Sequence, residues 1–225
     1  FKVLITKLKK LGFKFADKLH HLSYGMVELP EGKMKSREGK VVDADDLIKN
    51  MQDLAKEELK KRYSLPKKEL EERSLKITLA AIKYNLLKID IAKNIVFNPR
   101  EAIHFEGDTG PYLLYSYARA RSILRKTGKK ISGKFEVKEI NDKERVLINE
   151  LNGFPEVVAH AYNGFAPNLI ANYAFSLAQT FNEFYHSSQV IGSDEESFRL
   201  KLVSCFAQVL KNALYLLGIG VVEEM

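Results

Sequence analysis

Phe105-Glu106-Gly107-Asp108-Thr109-Gly110-Pro111-Tyr112-Leu113-Leu114-Tyr115-Ser116-Tyr117-Ala118-Arg119-Ala120-Arg121-Ser122-Ile123 is a turn-rich link that runs straight into a helix. The glycines and Pro111 mark the link as a boundary between a part over residues 1–106 and a part over 107–225. Asp108 or Thr109 can cap the helix, Pro111 sits in its first turn where a missing N–H costs nothing, and Gly128 can end it. Downstream, the stretch 129–143 reads as a loop or short strand. Helical periodicity then returns around Glu144–Leu151 with a continuation from Glu156, over Pro167–Ile191, and over Asp194–Leu217. The second part is therefore expected to be all-helical. Upstream, Ile95-Val96-Phe97 is a short apolar run closed by Asn98-Pro99. Before it, Lys67–Leu87 carries Leu70, Ile77, Ala80, Ala81, Tyr84 and Leu87 at helical spacing. A further helix is expected from an Asp43 cap, with Asp46 three residues on and Leu47, Ile48, Met51, Leu54, Ala55 and Leu59 on one face, until Leu65-Pro66 breaks it. Lys18–Leu29 reads as a strand entering a loop and Phe1–Leu11 as a helix. The chain reads as mainly α.

The composition narrows the function classes. The 225 residues are 45% hydrophobic and 29% charged, which supports a packed core. One cysteine, Cys205, excludes a disulfide framework and an all-thiolate zinc site and suits a reducing compartment; its helical spacing with Leu202 and Val209 makes it a core thiol. No apolar run reaches the length of a membrane span, and the Phe1 start with Lys7, Lys9 and Lys10 is no signal peptide. That start reads like a chain cut in mid-element. Residues 1–100 hold 23 basic and 14 acidic side chains, and residues 119–145 hold 10 and 4, whereas 146–225 hold 3 and 8. A localised positive field suits a polyanion such as nucleic acid, although solvated helix faces account for charge alone equally well.

Chemistry concentrates in the loop Glu31-Gly32-Lys33-Met34-Lys35-Ser36-Arg37-Glu38-Gly39-Lys40. Ammonium and guanidinium groups on such a loop can gather around phosphate oxygens and stabilise leaving pyrophosphate. The Walker order of glycines and lysine is absent, and composition alone fits a flexible basic turn better. In the helix after Pro111, Tyr112, Tyr115 and Arg119 share one face at i, i+3 and i+7. Tyrosine stacking with arginine on phosphates or base edges is how single-stranded loops are read, while core packing suits Tyr112 and Tyr117 equally well. Asp43, Asp45 and Asp46, and the run Asp194-Glu195-Glu196, belong at helix starts and make no metal cluster.

His20-His21-Leu22-Ser23-Tyr24-Gly25-Met26-Val27-Glu28-Leu29-Pro30-Glu31-Gly32-Lys33-Met34-Lys35-Ser36-Arg37 resembles the K-M-S-K-S region of class I aminoacyl-tRNA synthetases, and more narrowly the G-K-M-S-T-R-x-G loops of the arginyl-tRNA synthetase family. The opening stretch above is similar to that family's link into its anticodon-binding domain. Leu177-Ala178-Gln179-Thr180-Phe181-Asn182-Glu183-Phe184-Tyr185 and the ending from Leu217 to Met225 extend the resemblance over nearly the whole chain.

The resemblance implies the C-terminal end of a class I Rossmann-type catalytic domain, with motif loop and stem-contact helices, followed by an all-α anticodon-binding helix bundle. It implies ATP-dependent activation of arginine and transfer to its tRNA. Lys33 would hold the ATP phosphates in the transition state with Met34 packing the loop down, and His21, Met26 and Val27 would border the adenine. Ser36 stands where the second motif lysine is usual, and either Lys35 or Arg37 replaces its charge. Mg2+ is expected on the ATP phosphates and no structural metal in the protein. Tyr115, Arg119, Tyr185 and Met225 are the implied tRNA contacts, the methionine through its flexible thioether. The expected setting is a cytoplasmic monomer.

One departure is large. The histidines are His20, His21, His104, His160 and His186, so no H-I-G-H-like motif is present, and the chain alone is not expected to form aminoacyl-adenylate. Two other readings stand beside this one. The first is a non-catalytic RNA-binding module related to the synthetase tail, distinguished by needing no N-terminal partner. The second, weaker, is a basic DNA binder, for which no recognition-helix motif exists.

Overall fold

The computed structural model describes residues 1–30, 43–128, 137 and 139–225. Lys33, Met34, Lys35, Ser36 and Arg37, and most of the stretch 129–143, lie outside the described residues. Among those described, the order is α1 (Lys2–Lys10), a 3₁₀ turn (Lys14–Lys18), β1 (Val27–Glu28), α2 (Ala44–Arg62), α3 (Lys67–Leu87), β2 (Ile95–Val96), α4 (Pro99–Ala102), α5 (Gly110–Thr127), α6 (Asp142–Gly164), α7 (Pro167–Ser187) and α8 (Glu196–Leu216).

The local chemistry explains most boundaries. Asp43 caps α2 by accepting the Asp45 N–H at 2.9 Å, with Asp45 and Asp46 in the positive first turn. At α5 the cap is Thr109, not Asp108. Its hydroxyl accepts the Tyr112 N–H at 3.3 Å and donates to the His104 carbonyl at 2.6 Å. Asp108 turns instead to α3, where it accepts from the Tyr84 hydroxyl and pairs with Lys88 at 3.0 Å. Gly128 closes α5 in the left-handed conformation, with φ 59°, as a glycine without a Cβ readily does.

Three expectations need correction. The strand over Lys18–Leu29 shrinks to Val27–Glu28, which pair in parallel with Ile95–Val96. The segments Glu144–Leu151 and from Glu156 are one helix that passes through Pro155. Proline removes the donor for the Leu151 carbonyl, but packing along α7 holds the helix together. Phe154 meets Tyr173 with ring centroids 5.5 Å apart, and the Tyr173 hydroxyl donates to the Glu150 carbonyl at 2.9 Å. Last, α7 stops at Ser187 and α8 starts at Glu196, since the chain between them turns back through Gly192 (φ 79°) and buries Val190.

A single buried cluster runs from α2 and α3 into the bundle of α5 to α8. Met51, Leu59, Ile77 and Tyr84 meet Leu113, Leu114, Phe181 and Phe206 within it. Phe181 and Phe206 stack with centroids 3.7 Å apart. Glu144 is buried as well, and it completes the Asn141 capping box. It also accepts from Arg199 Nε at 2.7 Å, so its buried charge is paired. Cys205 is only partly buried. By contrast, α1 buries no residue, and Phe1, Val3, Leu4 and Leu11 are exposed. No helix of the described residues is long and apolar enough to cross a membrane.

Candidate nucleic-acid interface

The site grows from the half-buried face of α5. Helical spacing stacks Tyr115 and Arg119 one turn apart. The Arg119 guanidinium lies 4.7 Å from the Tyr115 ring centroid, and its Nη2 donates to the Tyr115 hydroxyl at 3.0 Å. From α7, Tyr185 brings its ring centroid to 5.2 Å from the same guanidinium. A cation among two aromatic rings is held electrostatically by their negative faces. Tyr185 is 38% exposed, which leaves ring surface open to a ligand.

The C-terminal tail completes the wall. Glu223 accepts from Tyr117 Oη at 3.1 Å and from Arg121 Nε at 2.8 Å, and its carbonyl accepts from Arg125 Nη1 at 3.0 Å. These contacts fall on successive turns of α5 and pin the tail along it. Met225 is thereby brought beside Tyr115, Arg119 and Tyr185, and together with Tyr63 and Lys126 they line a cavity of about 440 Å³. A second cavity of about 280 Å³ shares Tyr115 and Arg119 and extends past Arg62, Phe105 and His186. Arg62 itself stands 4.7 Å over the Phe105 ring. All four residues expected to touch tRNA thus border one cavity. Tyr117 is buried and belongs to the core, while Tyr112 is half-buried, with its ring 5.7 Å from that of Phe175.

Sequence reasoning missed Glu223, which carries no sign of its role except opposite charge to Arg121 and Arg125. Burial pushes its carboxyl up, but hydrogen bonds from Arg121 and Tyr117 outweigh this and hold it below the ordinary carboxylate range. A lowered folded value means that the contact stabilises above the unfolded pKa and is lost as pH falls through the folded one. Because the group is exposed, the contribution is small, under about 1 kcal/mol. Glu223→Gln is therefore expected to lower the melting temperature by at most about 4 °C at pH 7. The difference from the parent should shrink in thermal scans as the pH falls below the ordinary carboxylate range.

The other expected site shows less. His21 is exposed and stacks on Phe1 with centroids 4.3 Å apart. Met26 donates its N–H to Asn94 Oδ1 at 2.8 Å, and its carbonyl accepts the Ile95 N–H at 2.8 Å. Val27 lies in β1 between residues bonded to β2, so a parallel ladder turns its own N–H and C=O to the opposite edge. The three residues are near in sequence, and the residues expected to hold the phosphates lie outside the described ones. Nor does any group of three or more His, Cys, Asp or Glu there stand ready to hold a metal.

The comparisons place this all-α bundle and the parallel strand pair before it in a class: a helical anticodon-binding domain behind part of a class I synthetase catalytic domain. The chain belongs to the DALR anticodon binding domain family, whose model matches residues 113–225. Residues 1–99 match the model described as tRNA synthetases class I (R), catalytic domain. Over its whole length the chain is 46% identical to an arginine–tRNA ligase of Flavobacterium psychrophilum and 45% identical to one of Phocaeicola vulgatus. It covers 38% and 39% of those proteins and corresponds to a C-terminal portion of them. Among solved structures, Thermus thermophilus arginyl-tRNA synthetase superposes with a TM-score of 0.89 at 32% identity, over 99% of this chain and 38% of that one. The Plasmodium falciparum arginyl-tRNA synthetase gives 0.84 at 26% identity, over 100% and 39%.

Proposed function

We propose that this chain supplies the ATP loop and the anticodon-reading surface of an arginine–tRNA ligase. The whole ligase would activate arginine with ATP and transfer it to tRNA. The observation that carries this reading is the meeting of Tyr115, Arg119, Tyr185 and Met225 at one cavity, where stacking faces and a fixed cation suit splayed bases. The match of residues 1–99 to a catalytic-domain model supports a ligase portion over a non-catalytic relative. In this reading residues 1–106 end the catalytic domain and 107–225 form the anticodon-binding domain. The protein works as a monomer in the cytoplasm.

Lys33 would hold the ATP phosphates, with Met34 seating the loop, Lys35 or Arg37 adding charge beside Ser36, and His21, Met26 and Val27 near the adenine. Mg2+ would come with the nucleotide. A positioned ammonium stabilises the charge that develops on pyrophosphate as the carboxylate of arginine attacks the α-phosphorus. In a full-length ligase carrying this sequence, Lys33→Ala should lower the rate of adenylate formation by about 10²- to 10³-fold. Its tRNA affinity should change less than about threefold, because stabilisation given only to the transition state leaves ground-state binding alone. Pyrophosphate exchange and filter binding measure the two. The reverse pattern would make the loop an RNA contact.

A further inference from the structure

Asn182 sits on α7 and bonds to Arg119, Tyr112 and Ser116 of α5. Its Oδ1 accepts from Arg119 Nη1 at 2.5 Å. Its Nδ2 donates to the Tyr112 hydroxyl at 2.8 Å and to Ser116 Oγ at 3.1 Å. The orientation of the amide is not free. Guanidinium nitrogens only donate, so the atom facing Arg119 must be the oxygen. Ser116 donates its own proton to the Tyr112 carbonyl at 3.0 Å and is left as an acceptor for Nδ2. Donors and acceptors therefore run in one direction, from Asn182 to Tyr112 and Ser116 on one side and from Arg119 to Asn182 and the Tyr115 hydroxyl on the other. Both amide protons and the oxygen are committed inside the protein.

We infer that Asn182 is a positioning residue: it does not read RNA but fixes the Arg119 guanidinium between Tyr115 and Tyr185 so that a base meets a ready-made stack. The inference rests on the RNA-binding reading above. A long arginine side chain otherwise loses rotamer freedom when a ligand orders it, and prior restraint removes that cost from binding. The restraint crosses from α5 to α7, so it also sets the spacing of the Tyr115 and Tyr185 rings. Asn182 is in this sense the hinge pin of the recognition surface, and its chemistry reaches the ligand only through Arg119.

A double-mutant cycle tests this with the full chain and an RNA hairpin carrying an arginine anticodon loop. Asn182→Ala should weaken binding about tenfold in the parent, and should have no effect in an Arg119→Ala background. An equal loss in both backgrounds would overturn the inference, since it would mean that Asn182 touches RNA itself or supports the fold generally. Asn182→Asp provides a second readout that a merely structural role would not move. Its carboxylate still accepts from Arg119 but offsets the arginine charge, so the slope of log affinity against log salt should fall by about 0.7, one single-strand phosphate. A parental slope and affinity for Asn182→Asp would also overturn it. Absence of hairpin binding by the parent chain would overturn the RNA-binding reading first, and the inference with it.

Discussion

Replacing Arg119 by alanine is expected to weaken binding of an arginine anticodon hairpin by about a hundredfold while leaving the melting temperature almost unchanged. Three effects combine at this residue. Its guanidinium offers a planar cationic face for stacking, worth about 1–3 kcal/mol per base by truncation. It supplies charge-assisted hydrogen bonds, which are about twice as strong as neutral ones. It also orders Tyr115 and Tyr185, whose centroids lie 4.7 and 5.2 Å from it. The sum places Arg119 among residues whose loss exceeds about 2 kcal/mol, as central arginines in desolvated pockets commonly do. The fold is spared because Arg119 is only half-buried and Asn182 keeps its bonds to Tyr112 and Ser116 without it. Fluorescence anisotropy with a labelled hairpin and a thermal scan check both halves.

A large effect on stability is expected at Gly110. A Cβ built there would stand 2.2 Å from the Ala80 carbonyl oxygen and 2.5 Å from its carbon, so the first turn of α5 and the middle of α3 touch through backbone. Backbone cannot rotate away as a side-chain tip can. Gly110→Ala must therefore push α5 off α3, in a region where Tyr84, Asp108 and Lys88 tie the same two helices. Overpacking of this kind costs about 3 kcal/mol, the upper part of its usual range. For a chain of this size that is a fall of roughly 6–12 °C in melting temperature. Gly153→Ala is the matched control. It lies inside α6, where a Cβ meets nothing within 4 Å, and should stabilise by up to about 1 kcal/mol.

How far such features were legible from the residues depended on whether local chemistry or packing decided them. Thr109, Pro111 and Gly128 announce α5 because caps and turns are local. The helix expected around Lys67–Leu87 is found there, since its apolar periodicity starts after a proline. The continuation of α6 through Pro155 was not legible, because a local rule against proline is overridden by contacts with α7, a separate helix further along the chain. Nor was the pairing of Val27 with Ile95, two short apolar runs that two long helices separate in the sequence. The same division holds at the site. Tyr115 and Arg119 share a helix face that spacing reveals. Tyr185 and Met225 came from the family resemblance, and only the fold brings them to the same cavity. Asn182 and Glu223 could not be picked out, because their roles exist only through partners on other elements.

In the proposed function, the cavity between α5, α7 and the C-terminal tail reads an arginine anticodon. The most direct measurement is the affinity of the chain for paired RNA hairpins that differ only in the anticodon bases, titrated over a range of salt. The cognate hairpin is predicted to bind at least about tenfold more tightly at every salt concentration, and both should weaken steeply as salt rises, because phosphate contacts are shared while base contacts are not. Equal affinity for the two hairpins would contradict the account and reduce this surface to a nonspecific polyanion site.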